Sequence, residues 1–213
     1  MAMKTMMAMK RNSAFLWITL LLSLGLSGCA NTLQFSAPEG NSNIYQIQLA
    51  IYNPVCVSVY QNSNITGAPL ETNVCTPTNL SQQWTLKPMD TGNESSTTQT
   101  ATTGIFQIVN VNSQMCMTVA APDMAPGEEV LQAPCVENGG NHDQVWKITP
   151  APTGQAGNQF IVTSSTQCLD DPYGATNGIF QMQQYYCTAN DPAQGWILHE
   201  VPVETSTATT NSK

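Results

Sequence analysis

Six of the seven cysteines in this 213-residue chain recur at one interval. Cys56 and Cys75, Cys116 and Cys135, and Cys168 and Cys187 are three pairs, each nineteen residues apart. Thiols can form disulfides, bind metal as thiolates, or act as nucleophiles, and spacing helps to separate these uses. Metal sites and redox exchange favour close pairs such as Cys-x-x-Cys, which the chain lacks. It has two histidines, His142 beside Asp143 and His199 beside Glu200, and neither has a nucleophile signature nearby. Gly-x-Ser-x-Gly and His-Glu-x-x-His are also missing, so acyl transfer and zinc hydrolysis have no visible parts. A carboxylate pair for glycoside hydrolysis could be drawn from any acidic chain and carries no information. The reading is a chain that is not an enzyme, has no metal or cofactor, and uses its cysteines for pairing.

Each cysteine pair is followed by a Gln-x-Trp triplet: Gln82-Gln83-Trp84, Gln144-Val145-Trp146 and Gln194-Gly195-Trp196. Equal spacing in three separate intervals reads as an internal threefold repeat of one supersecondary unit. Pairing inside each unit closes a loop near twenty residues, and each such loop adds about 3 kcal/mol in the chain-entropy account. Disulfides require export, and the start of the chain supplies a reason to expect it. Lys4, Lys10 and Arg11 precede an apolar run from Ala14 through Leu26, too short and wrongly flanked for a spanning helix but suited to an export signal.

That run ends in Leu26-Ser27-Gly28-Cys29, which resembles the signal of bacterial lipoproteins. The resemblance implies that residues 1–28 are removed and that Cys29 becomes the lipid-bearing N-terminus. Residues 29–43 then form a polar spacer, and Ala30, in place of an inner-membrane-retaining Asp, points to the outer membrane of a bacterial envelope. An ordinary cleaved signal with a stray cysteine is the other reading. Cleavage removes every basic residue except Lys87, Lys147 and Lys213, leaving three positive charges against fourteen carboxylates, a net −11. A chain so acidic repels phosphate backbones and anionic headgroups, which disfavours nucleic acid and leaves the lipid as the only membrane contact. Only 9% of residues are charged, and a surface rich in Asn, Gln, Thr and Ser suits neutral polyols.

The elements must be short strands. Tyr45-Gln46-Ile47-Gln48-Leu49 alternates apolar with polar, as a half-buried strand does, and no stretch of the globular region has helical periodicity of useful length. Residues 90–104 carry no large apolar side chain and read as an exposed loop between the first and second units, with 150–158 doing the same between the second and third. The Thr- and Ser-rich tail, 201–213, reads as disordered. Three units of about four strands, at roughly 44–89, 104–150 and 158–200, suit a closed all-β architecture without exposed sheet edges.

In triplicate, cysteine pair plus Gln-x-Trp resembles the ricin B-type lectin domain, a β-trefoil, over residues 45–200. The resemblance implies that Trp84, Trp146 and Trp196 pack in the core and that the triplet glutamines pin neighbouring backbone. It further implies a sugar site with an acid two residues after the first cysteine, an aromatic about two before the second, and an Asn or similar residue just before Gln-x-Trp. The first unit offers Ser58, Asn73 and Ser81 and the second Thr118, Ala133 and Asp143, so both lack acid and aromatic. Only the third has both, in Asp170 and Tyr185, although Ala193 stands where the polar residue belongs and Asn190 or Asp191 would have to replace it. The candidate carbohydrate-binding residues are therefore Asp170, Tyr185, Gln183 and Gln194, for a galactoside-like or xylan-like glycan. Alternation puts Gln183 and Tyr185 on one strand face and turns Tyr186 toward the core. Two alternatives stay open. Asp170-Asp171-Pro172-Tyr173-Gly174 also makes a turn in which Asp170 bonds its own backbone. A trefoil that has lost sugar binding would serve as a protein-interaction or toxin cell-binding subunit, as in the cytolethal distending toxins.

Overall fold

The computed structural model describes residues 44–51, 55–89, 102–120, 125–137, 143–172 and 181–202. The chain divides into Met1–Glu39 and Gly40–Lys213, and every described residue lies in the second part. The export signal, Cys29, the spacer, most of the first inter-unit loop and residues 203–213 lie outside the described residues.

Among the described residues, twelve strands form three groups of four. The first unit has β1 (Ile44–Leu49), β2 (Val55–Val59), β3 (Leu70–Val74) and β4 (Trp84–Pro88). The second has β5 (Gly104–Asn110), β6 (Cys116–Val119), β7 (Val130–Ala133) and β8 (Trp146–Pro150). The third has β9 (Asn158–Val162), β10 (Cys168–Asp170), β11 (Gln183–Tyr185) and β12 (Trp196–Glu200). The first and fourth strands of the units pair β1 to β4, β5, β8, β9, β12 and back to β1, a closed antiparallel ring that leaves no edge among its six strands. The second and third strands form hairpins, β2–β3, β6–β7 and β10–β11. These three hairpins meet: Val130 N–H donates to Met182 O at 2.9 Å and Met182 N–H to Leu70 O at 2.8 Å, with all three side chains fully buried. This is a β-trefoil.

Three disulfides join Cys56 to Cys75, Cys116 to Cys135 and Cys168 to Cys187, each within its own unit. Beside them the triplets repeat one hydrogen-bond pattern. Gln82 donates to Val74 O at 2.9 Å and accepts from Thr76 N–H at 2.7 Å, bracketing Cys75. Gln144 does the same to Pro134 O and Val136 N–H, both at 2.9 Å, and Gln194 to Tyr186 O and Thr188 N–H, again at 2.9 Å. The three tryptophans are fully buried, and each indole N–H donates to the carbonyl that follows a first cysteine: Trp84 to Val57 at 3.1 Å, Trp146 to Met117 at 3.0 Å, Trp196 to Leu169 at 3.1 Å. Burying an indole with its polar edge satisfied gains hydrophobic free energy without a desolvation penalty.

The half-buried reading of β1 needs correction. Gln46 is buried, because its face is covered by the turn after Cys75, and its amide donates to Thr76 O at 3.0 Å. Short 3-10 turns end on the first residue of two of the triplets, at Leu80–Gln82 and Pro192–Gln194, capped by the side chains of Asn79 and Asp191. Replacing Gln144 by Met keeps the volume but strands two backbone partners. Urea unfolding with the disulfides intact should show a loss of about 1 to 3 kcal/mol, and an unchanged midpoint would mean the pin contributes nothing.

Candidate functional site

The third hairpin sets its chemistry by register. β10 and β11 pair Cys168 with Tyr185, Leu169 with Gln184, and Asp170 with Gln183. Paired residues share a sheet face, so Leu169 and Gln184 point inward and are fully buried, while Asp170, Gln183 and Tyr185 share the other face. Gln183 donates its amide to Asp170 Oδ2 at 2.7 Å, directly across the strand pair. Gln194 donates to Asp170 Oδ1 at 3.1 Å from the 3-10 turn before β12. Two neutral amides thus hold both oxygens of a carboxylate that is only 4% exposed. Burial lifts the Asp170 pKa above its ordinary 3.8; the two amide donors oppose the rise, and the charges of Asp191 and Asp171 add to it.

Tyr185 lies diagonally from Asp170 and is 42% exposed. Its ring meets that of Tyr186 edge to face, with centroids 5.6 Å apart and planes at 69°. An acid whose lone pairs accept hydroxyls, beside an open aromatic face, is the chemistry of sugar recognition.

The sequence-expected residues divide into two groups. Asp170, Gln183 and Tyr185 come together on one hairpin, and the Asp170 side chain bonds to Gln183 and Gln194 rather than to its own backbone. Gln194 is fully buried with both amide hydrogens and its oxygen engaged, so it positions the acid and has no free atom for a ligand. Tyr186 is not core. It is 60% exposed, because β11 ends at Tyr185 and strand alternation ends with it. Neither expected substitute for the missing polar residue at Ala193 faces the acid as a free group: Asp191 Oδ1 accepts from Ala193 N–H at 3.0 Å, and Asn190 packs against Gly154.

The equivalent register elsewhere carries different groups. In the second unit Thr118 faces Leu131 and Cys116 faces Ala133, and the Thr118 hydroxyl donates to Cys116 O at 2.9 Å. In the first unit Ser58 faces Glu71 and Cys56 faces Asn73. The first unit therefore does have an acid, moved across the hairpin to β3, a residue the sequence reading missed. Glu71 is 4% exposed, Oε2 has no hydrogen-bond partner, and burial raises its pKa against a 3.4 Å hydrogen bond from Asn73. The available signal was spacing, since Glu71 and Gln183 each stand four residues before the second cysteine of their unit.

Residues 104–203 match the family model of the ricin-type beta-trefoil lectin domain, which takes in the second and third units. The fold is shared with solved β-trefoil structures. ThreeFoil, a designed threefold-symmetric protein, is 20% identical over 73% of this chain and 97% of its own, with a TM-score of 0.59. The Rhizoctonia solani agglutinin is 14% identical over 74% and 94%, at 0.58. The Haemophilus ducreyi cytolethal distending toxin is 17% identical over 80% of this chain and 90% of that one, at 0.56. No curated protein sequence matches. At these identities the structural likeness establishes fold alone.

Because the Asp170 pKa is higher in the folded state than in the unfolded one, the native protein holds this proton where the unfolded chain has released it. Stability from this group is therefore full below pH 3.8 and falls as pH rises from there through the folded value. Urea unfolding across this range should show the wild-type advantage over Asp170→Asn shrinking with pH; Glu71 titrates in both proteins and cancels. An advantage that grows with pH would place the folded pKa below 3.8.

Proposed function

We propose that this chain is a non-catalytic, ricin B-type carbohydrate-binding lipoprotein of a bacterial envelope, held at the outer membrane through Cys29, and that its third unit binds a neutral galactoside-like or xylan-like glycan. One observation carries the reading. Of three equivalent hairpins, only β10–β11 sets an amide-held carboxylate beside an open tyrosine ring. The lectin-domain match includes this unit.

The half-buried Gln183 occupies the Asp170 oxygen that a sugar hydroxyl would use. Binding exchanges one neutral donor for another of like strength, so that swap adds little net free energy and most of the gain comes from stacking on Tyr185. Single-site affinity is weak, as for many shallow polar sites. On a glycan array, Tyr185→Ala and Asp170→Asn should each lower binding at least about tenfold, with Tyr185→Ala moving stability by no more than about 0.5 kcal/mol. Undiminished binding by both variants would sink the site.

A protein-binding surface is the second reading. Val74, Val136 and Tyr186 are 68%, 50% and 60% exposed, and each is next to the second cysteine of its unit. If this reading holds, the array stays blank and Val74→Ser with Tyr186→Ser removes capture of a proteinaceous ligand from host-cell lysate.

Anchoring has its own test. Cys29→Ser should abolish incorporation of labelled palmitate and shift the protein to the soluble fraction. Retention of label would place the lipid elsewhere.

A further inference from the structure

Tyr186 does not point where strand alternation would send it. Consecutive strand residues face opposite ways, which would carry the rings of Tyr185 and Tyr186 far apart. Their centroids are 5.6 Å apart, so Tyr186 has swung to the face that Tyr185 shares with Asp170.

The backbone that carries this second ring is fixed. The Tyr186 carbonyl accepts from Gln194 Nε2 at 2.9 Å and from the Thr188 hydroxyl at 3.2 Å, and the next residue, Cys187, is tied to Cys168 by the disulfide. A ring held this way has little left to order when a ligand meets it. The triplet glutamines pin the matching carbonyls of Val74 and Pro134 in the other units, but neither those residues nor Asn73 and Ala133 before them carry a ring. The paired rings belong to the unit that has the amide-held acid.

Orientation decides what the second ring can do. The two planes stand at 69°, so one flat sugar ring cannot stack on both. An edge-to-face pair covers one face of one ring at most, and Tyr185 and Tyr186 remain 42% and 60% exposed. Acid, first ring and second ring follow one another along the hairpin: Asp170 is paired with Gln183, Tyr185 stands two residues further on, and Tyr186 follows it. At the rise of a strand that row spans roughly 10 Å, more than a single pyranose covers.

We propose that Tyr186 is a second aromatic subsite of the Asp170 site, and that the ligand is a glycan of two or more linked sugars. One sugar takes the place given it above, on Tyr185 and Asp170, and its neighbour lies on Tyr186. The inference rests on the carbohydrate reading and adds to it the length of the ligand and the residue that reads that length.

NMR titrations of ¹⁵N-labelled, disulfide-intact protein test this by comparing methyl β-galactoside with lactose and methyl β-xyloside with xylobiose. In the preferred series the disaccharide should bind roughly three- to tenfold more tightly than the methyl glycoside, the increment of one added aromatic contact. Tyr186→Ala should erase that increment and leave methyl glycoside binding as in wild type, and Tyr186→Phe, which keeps the ring, should restore it. Equal loss of both ligands in Tyr186→Ala would overturn the subsite, since the ring would then act only by bracing Tyr185. A disaccharide advantage that survives Tyr186→Ala, or a wild type that binds both ligands alike, would also overturn it and leave the Asp170 and Tyr185 site standing. Binding of none of these ligands would overturn the subsite and the carbohydrate reading together.

Discussion

The hydrogen bond from each buried indole to the carbonyl after a first cysteine sets the rest of this structure. The tryptophan opens the last strand of its unit, in the barrel ring, whereas the carbonyl belongs to the second strand, in the hairpin cap. One bond therefore ties cap to barrel, inside a core where its loss would leave two polar groups without water. Two residues before the indole, the triplet glutamine brackets the second cysteine, so the other strand of the hairpin is fixed as well. In the third unit this becomes site geometry. Trp196 holds Leu169, the next residue is Asp170, and Gln194 of the same triplet reaches its carboxylate.

Threefold use of that constraint leaves other positions free to diverge. Inward residues of the hairpins link the units: Gln132 donates to Ser63 O and Ile65 O, Gln184 to Ala125 O, and Thr72 to Asp171 Oδ2, so each third strand grips the preceding unit around the ring. The outward pair has no such duty. Ser58 with Glu71, Thr118 with Leu131, and Asp170 with Gln183 occupy one register with unrelated chemistry. A scaffold that assigns folding to one face can change the other without loss of its core.

This division explains what was legible in the sequence. The cysteine interval and the triplets are short-range patterns repeated by the folding constraint itself, so the threefold repeat and the three disulfides could be read from spacing, and the trefoil and the buried tryptophans from the family that those patterns resemble. Asp170 and Tyr185 were singled out through the positions that the family resemblance implies, which are counted from the cysteines, and the register places them on one hairpin face. Gln194 was misplaced because its type suits sugar contact, and only the tertiary structure shows its amide saturated. Tyr186 was misplaced because alternation was extended one residue beyond the strand. Glu71 was passed over because the family position on β2 held serine, although the register makes the residue facing it equivalent.

The choice of neutral donors for Asp170 bears on how such a site can work. A lysine or arginine beside a buried carboxylate would lower its pKa and hold it through a charge-assisted pair, which a hydroxyl could displace only at a cost of several kcal/mol. An amide holds the same oxygens without a full positive charge of its own, through hydrogen bonds worth roughly 1.5 to 3 kcal/mol net to an ionised acid. Gln183 and Gln194 therefore keep the acid oriented, while the 2.7 Å bond from Gln183 can be exchanged for a ligand hydroxyl of like strength. Gln194 cannot leave, because Thr188 and Tyr186 hold it; Gln183 is half-buried and meets the acid through a single hydrogen bond, and can. One donor is structural and one exchangeable, and that asymmetry lets a buried acid act as a reversible acceptor.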